Sequence, residues 1–308
     1  MDKIWDVTII GSGPSALTSA IYTTRGSLNT LIFGGENWGG QLMLTTTVDN
    51  FPGFPEGIMG PDLMGLMRRQ AERFGASFIE KAVTKVDFSK KPFEIVSENK
   101  YLSRSVIIAT GAQTLWLNAP GISNLIGRGV SSCAPCDAPF FKDKRVAVVG
   151  GGDSAMEEAL VLTKFVKELT LIHRRDSFRA SKTMQDKVLN DKKIKILWNT
   201  EVIEAEGDTK LEKLIIKNNR DNSQTELLVD GLFIAIGHKP DSDIFKDKID
   251  MDEHGFIKVF DHTKTNIEGV FVAGDVHDNH YKQAITAAGF GCMAGMDTIS
   301  YLDNMKNL

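Results

Sequence analysis

Cysteine is scarce in this chain, with three in 308 residues. That is far below the density that staples a small secreted fold, so a permanent disulfide framework is excluded. Long hydrophobic runs are missing too. Stretches such as SVIIA and RVAVVG are short, whereas a bilayer span needs about 20 apolar residues in a row. The opening MDKIWDVTIIGSG carries charges at Asp2, Lys3 and Asp6 and has neither the core nor the cleavage site of a secretory signal. A cytoplasmic location, away from any membrane, is the expectation. Neither sign of charge dominates. A formal net charge of −4 leaves no electrostatic footprint for nucleic acid. Low-complexity tracts are lacking, and the charged stretches KDKR and NDKKIKI read as solvated faces.

What the chain does have is glycine at the ends of short apolar runs. There are three such runs: DVTIIGSGPSA (6–16), RVAVVGGGDSA (145–155) and GVFVAGDV (269–276). Each reads as a parallel strand buried on both faces and closed by a tight turn. After the first two, SALTSAIYTTR and SAMEEALVLTKF space their apolar residues as helices do. Strand, glycine turn and helix thus occur twice, 139 residues apart from Asp6 to Arg145, which points to two nucleotide-binding domains. Two more strands, SVIIATGA (105–112) and GLFIAIGHKP (231–240), end where composition turns irregular and mark the crossings between domains. The expected fold is α/β, with two nested Rossmann-like dinucleotide-binding domains, each layered around a parallel sheet. Residues 1–112 and 241–308 form one domain, and 113–240 form a second domain inserted in it.

In the first turn Gly11 allows the tight bend, Gly13 lets a pyrophosphate approach the backbone, and Ala16 lets helix and strand pack closely. Glu36, 25 positions after Gly11, stands where a ribose hydroxyl acceptor is expected. The second turn holds Gly150, Gly152 and Ala155, but the corresponding acid is absent. His173, Arg174 and Arg175 occupy its place, with Arg179 four residues beyond. Guanidinium forks at the ribose end match a 2′-phosphate, so the second domain is expected to prefer NADP(H) to NAD(H). Two dinucleotide sites suggest one bound flavin and one diffusible nicotinamide. Asp275, just after the third run, supports that division as an acceptor for ribityl hydroxyls.

The stretch SSCAPCDAPFF (131–141) holds Cys133 and Cys136 with Asp137 directly after them. Three readings are open: a catalytic disulfide, a structural crosslink, or a zinc clip. Zinc needs about four ligands, and only Cys292 remains; in AAGFGCMAG it reads as a buried core thiol. Nicotinamide, flavin and dithiol together would form a relay of electron carriers. A carboxylate partly desolvated by Phe140 and Phe141 would have its pKa raised toward use as an acid.

From Asp6 to Leu302 the sequence resembles the low-molecular-weight thioredoxin reductases. The resemblance rests on GSGPSA, GGQL, DNFPGFP, IIATGA, CAPCD, GGGDSAMEEA, HRRDSFRA, AIGHKP and AGDVHDNHYKQAITAAGFGCMA, matching in order and spacing. It implies a homodimer with tightly bound FAD, oxidising NADPH and reducing a thioredoxin-like protein. Ser12, Gly13, Pro14 and Ser15 would line the FAD pyrophosphate, with Gly40, Gln41 and Asn50 flanking the flavin. Val83 would hold the adenine through its backbone, and Asp275, Lys282, Gln283 and Ala284 would meet the ribityl chain and ring. Gly150, Gly152, Asp153, Ser154 and Ala155 would seat the NADPH phosphates, with His173, Arg174, Arg175 and Arg179 around the 2′-phosphate. Cys133 and Cys136 would be the redox pair, Cys136 nearer the flavin and Cys133 attacking the partner disulfide. Asp137 would be the acid–base, and the inserted domain would rotate about its two crossings.

The chain departs from the family pattern in two places. Ala138-Pro139 follows the acid where glycine is usual, and Lys282 replaces an arginine, keeping the charge but losing the planar fork. Two rival readings remain. The same relay could serve another disulfide acceptor or oxygen, or the flavin and cysteine pair could act as a non-catalytic redox sensor.

Overall fold

The run IWDVTII becomes β1 (Ile4–Ile10), and its apolar residues point alternately to two separate cores. Both faces are buried because β1 lies inside a sheet, parallel to β2 (Thr30–Phe33) on one side and to β6 (Lys100–Ile108) on the other. The structure is a computed structural model and describes residues 3–306. The chain forms two compact units, one of Met1–Gln113 with Lys239–Leu308 and the other of Thr114–His238.

In the first unit the strand order is β3 (Ser77–Ile79), β2, β1, β6, β5 (Phe93–Val96), β4 (Lys85–Asp87). The late strand Val270–Val272 also pairs with β6. Strands β3, β2, β1, β6 and the late strand run parallel, while β4 and β5 form an antiparallel extension. Val7, Ile9, Ile107 and Phe271 face one core, shared with α1 (Pro14–Arg25), α2 (Gly60–Arg73) and the C-terminal helix Ala284–Lys306. Ile10, Val106, Ile108, Val270 and Val272 face the other core, with Phe33, Phe93 and Phe245. This period-two division explains the nearly unbroken apolar runs in the sequence.

The second unit repeats the plan. Its parallel sheet runs β7 (Val130–Ser131), β14 (Gly231–Ala235), β8 (Arg145–Gly150), β9 (Glu168–His173), β10 (Ile194–Trp198). Val146, Val148, Leu169, Leu171 and Phe233 pack against Ala155, Met156, Ala159 and Leu162 of α4 (Asp153–Leu162). The opposite face, with Ala147, Val149, Ile172 and Ile234, is covered by a three-stranded antiparallel sheet. Its strands are β11 (Thr200–Glu206), β12 (Lys213–Asn218) and β13 (Gln224–Leu228). Where the chain leaves and re-enters the first unit, Ala112–Thr114 and His238–Pro240 pair as a short ribbon. No helix among the described residues is long and apolar enough to cross a membrane.

Candidate active site

Cys133 and Cys136 are bonded to each other, with Sγ–Sγ 2.07 Å and Cα atoms 5.3 Å apart. Cys133 is the N-cap of α3 (Ala134–Asp137) and Cys136 lies within it, a single turn with Pro135 in its first positions, where a missing N–H removes no helical bond. Asp137 ends the turn, half-buried. Burial raises its carboxyl above the ordinary aspartate range, and the facing Ser131 hydroxyl pulls it the other way. The aromatic pair divides its roles. Phe141 is buried and meets Phe233 edge-on at 5.1 Å, while Phe140 is 52% exposed. Pro139 lies at the start of the short helical turn Ala138–Phe141 that follows.

Several hydrogen bonds join the second glycine turn to the HRRDSFRAS segment. His173 is buried, with Nδ1 2.9 Å from Gly150 O and Nε2 2.9 Å from Ser177 O. The Arg179 N–H donates to Gly151 O at 2.8 Å. Asp153 Oδ1 accepts from both the N–H and the hydroxyl of Ser181, at 2.9 and 2.8 Å. His173 therefore turns inward and holds the loop, while the side chains of Arg174, Arg175 and Arg179 stand exposed around it. Asp153 likewise ties the loop down. Gly151 was not singled out from sequence, yet a Cβ there would meet the His173 ring at 2.1 Å. α4 begins at Gly152 without a side-chain cap, and nothing lies within 4 Å of where a Gly152 Cβ would point. An uncapped helix start beside exposed guanidinium groups can receive an anion.

The first turn has the same form. Gly13 caps α1 without a side-chain bond and faces open space, with Pro14 next and Ser15 buried behind. Ser12 is committed to the scaffold: its hydroxyl donates to Gly34 O at 2.8 Å and accepts from Gly39 N–H at 2.9 Å. That bond fastens the loop leading to Gly40, where an added Cβ would lie 3.6 Å from Gly13 Cα. Gln41 Nε2 donates to Ala112 O at 3.4 Å, and Asn50 Nδ2 to Gln283 Oε1 at 3.2 Å. Glu36 is exposed, 3.8 Å from Lys81, and Val83 is buried.

The loop after Val270–Val272 bends around Asp278, whose carboxylate accepts from the N–H groups of His280, Tyr281 and Lys282. Lys282 adopts a left-handed φ of 48° just before Gln283 and Ala284 open the C-terminal helix. Asp275 Oδ1 is enclosed and has no hydrogen-bond partner. Burial first, and the Asp278 charge second, push the Asp275 pKa up to about 6, with Lys282 opposing. An enclosed acceptor without a donor is costly unless a ligand supplies one. His277 Nε2 is also enclosed without a partner, and its ring meets Phe290 edge-on at 4.4 Å. Neither Asp278 nor His277 was found from sequence.

Cys292 is half-buried on the flank of the C-terminal helix, its Sγ 3.9 Å from Met296 Sδ, and is not the core thiol expected from its apolar neighbours. The helix turns Ala294 into the core at that level, which leaves Cys292 at the margin.

The family model described as pyridine nucleotide-disulphide oxidoreductase matches residues 5–291. The chain belongs to this family. It is 50% identical over 306 residues to a thioredoxin reductase of Streptomyces clavuligerus, covering 98% of this chain and 95% of that protein. Among solved structures, a thioredoxin reductase from Giardia duodenalis matches with TM-score 0.95 at 39% identity, over 98% of this chain and 100% of the other. One from Streptococcus pyogenes matches with TM-score 0.94 at 38% identity, over 99% and 100%. This pyridine nucleotide-disulphide oxidoreductase carries its redox-active disulfide at Cys133–Cys136.

Proposed function

We propose that the chain is an NADPH-dependent thioredoxin-disulfide reductase. The observation that carries the reading is a redox disulfide in the same unit as a glycine turn bonded to an exposed three-arginine loop. Arg174, Arg175 and Arg179 hold the 2′-phosphate, His173 and Asp153 keep that loop in shape, and Gly150, Gly152, Ser154 and Ala155 seat the pyrophosphate. In the first unit Ser12, Gly13, Pro14 and Ser15 cradle the FAD pyrophosphate, and Glu36 and Val83 hold its adenosine half. Gly40, Gln41, Asn50, Lys282, Gln283 and Ala284 border its ring. The enclosed Oδ1 of Asp275 supplies the acceptor that a ribityl hydroxyl requires. When bound, the flavin carries an electron pair from the nicotinamide to the disulfide.

The residues of the chain handle the sulfur chemistry. NADPH, a proton and the Cys133–Cys136 disulfide give NADP⁺ and a dithiol. Cys133, as thiolate, attacks the disulfide of the partner and releases one partner thiolate. Asp137, with its raised pKa, protonates a leaving thiolate. Cys136 then attacks Cys133, freeing the second partner thiol and restoring the disulfide. A thioredoxin-like protein is the acceptor, in keeping with the names of the relatives at 50% identity. A homodimer completes the reading. Its supporting surface lies on α1 and the C-terminal helix, where Tyr22, Ile285, Met293 and Met296 are large apolar groups left exposed.

Cys133→Ser and Cys136→Ser variants test the assignment. Each should abolish NADPH-dependent reduction of oxidised thioredoxin while retaining NADPH oxidation by a small quinone. Undiminished thioredoxin reduction in either variant rejects the relay.

A further inference from the structure

Three consecutive residues of the arginine loop are tied to a distant part of the second unit. Arg174 O accepts from Asn219 Nδ2 at 3.4 Å, and Arg175 O accepts from the Asn199 N–H at 3.0 Å. Asn199 O in turn accepts from the Asn219 N–H at 2.6 Å. The Asp176 carboxylate meets the Arg220 guanidinium, with Oδ2 3.5 Å from Nη2, and its other oxygen faces the Ser177 hydroxyl at 3.5 Å. Asn219 and Arg220 lie in the turn between β12 and β13, while Asn199 joins β10 to β11 in a left-handed conformation, φ 51°. The turn is closed by its own polar groups. Arg220 N–H donates to Asn218 Oδ1 at 2.9 Å, and the Asp221 carboxylate accepts from the N–H and hydroxyl of Ser223, at 2.9 and 2.6 Å. Asp221 is thus turned onto Ser223, and Arg220 reaches over to the arginine loop.

Asp176 is the one carboxylate in the stretch HRRDSFR, next in sequence to Arg175. Without a cation beside it, that carboxylate would repel an incoming phosphate and compete with it for the guanidinium groups of Arg174 and Arg175. The side chains of Asp176 and Arg220 are each 68% exposed, so their pairing adds little to stability. Its effect lies in the charge that a phosphate meets. We propose that Arg220 is a positioning residue of the 2′-phosphate site, which pairs with Asp176 and keeps that carboxylate from opposing Arg174, Arg175 and Arg179. The bonds from Asn199 and Asn219 hold the turn and the loop in one frame, so the pairing does not depend on two free side chains finding each other. The antiparallel sheet that covers the core of the second unit thereby also helps that unit to favour NADP(H) over NAD(H). This role rests on the reading that the three arginines hold a 2′-phosphate, and it adds to them a residue more than 40 positions further along the chain.

The test is calorimetric, on the FAD-loaded protein. Wild type, Arg220→Ala, Arg220→Lys, Asp176→Asn and the double variant Arg220→Ala/Asp176→Asn are each titrated with 2′,5′-ADP and with 5′-AMP. Arg220→Ala should bind 2′,5′-ADP about threefold to fivefold more weakly, the scale of one exposed charge, and should bind 5′-AMP as wild type does. Arg220→Lys keeps the charge and should recover most of the loss. In the Asp176→Asn background, Arg220→Ala should cost nothing further, because no carboxylate is left to offset. Raising salt to about 1 M should erase the difference between Arg220→Ala and wild type. Unchanged 2′,5′-ADP binding in Arg220→Ala overturns the proposal. An equal loss for both nucleotides does so too, since that is the result of a merely deformed loop. A full loss on adding Arg220→Ala to Asp176→Asn also overturns it, because Arg220 would then act on the phosphate without Asp176. These outcomes leave the 2′-phosphate reading standing as long as wild type prefers 2′,5′-ADP. Wild type that binds both nucleotides equally removes that reading itself, and the role of Arg220 with it.

Discussion

At the scale of single residues, two aspartates are shifted by burial in ways that can be measured. Asp137 is raised chiefly by desolvation, which suits a group that must hold a proton for a leaving thiolate. Asp137→Asn should slow reduction of the partner disulfide by about 10²-fold, the lower range for general acid–base catalysis. Stopped-flow traces of flavin reduction by NADPH should stay unchanged, and equal slowing of both steps would remove Asp137 from the acid–base role. Asp275 holds its proton up to about pH 6, against about 3.9 in an unfolded chain. The folded state binds that proton more tightly, so this contribution to stability is fully present below about pH 4 and is lost as pH rises through 6. In flavin-free protein the Tm of Asp275→Asn minus that of wild type should therefore climb between those values and level off above. A flat difference would mean that Asp275 already has a donor. The sequence announced both carboxylates, one beside the cysteine pair and one at a strand end. It did not announce that His173 and Ser12 would turn their polar atoms onto main-chain groups. Those choices depend on carbonyls and amides brought close by the fold, such as Gly150 O and Gly39 N–H, and no local pattern encodes them.

Among the elements, the two glycine turns make separable predictions because their glycines stand in different surroundings. Gly11 has φ 125°, and a Cβ there would lie 2.0 Å from Ala109 O, so Gly11→Ala should fail to fold or melt far below wild type. Gly13 and Gly152 have ordinary φ values of −73° and −99° with open space beside them. Alanine there should leave the melting temperature of the ligand-free protein unchanged. Gly13→Ala should lose bound FAD, and Gly152→Ala should raise KM for NADPH about tenfold or more. Equal FAD retention in Gly13→Ala would show that the pyrophosphate lies elsewhere. Replacing Arg174 and Arg175 with alanine should weaken 2′,5′-ADP binding, measured by calorimetry, and leave 5′-AMP binding as it was. Equal losses for both nucleotides would mean that the loop does not read the 2′-phosphate. These turns were legible because strand, glycine and helix follow one another within a dozen residues. The antiparallel cover of the second unit was not legible. Strands β11 to β13 mix charge with apolar residues, as in TEVIEAE, and only Val202, Leu214 and Ile216 meeting Ile172 and Ile234 shows what they cover.

For the whole molecule, the expectation of a nested path rested on two apolar runs ending in glycine, and these runs overlap β6 and β14. The half-exposed place of Cys292 could not be read in the same way, because one helix face serves the core and its neighbour does not. The proposed relay asks one flavin to meet nicotinamide and dithiol in turn, and the family resemblance implies that the inserted unit rotates to allow it. A covalent crosslink between the two units should leave FAD bound and stop turnover, and normal cycling in the crosslinked protein would reject rotation. The central claim is tested most directly without oxygen, by adding NADPH to the yellow protein, following flavin absorbance, and then adding oxidised thioredoxin. The account predicts bleaching by NADPH and recovery of colour on adding thioredoxin. Failure of both NADPH and NADH to bleach the flavin would contradict it.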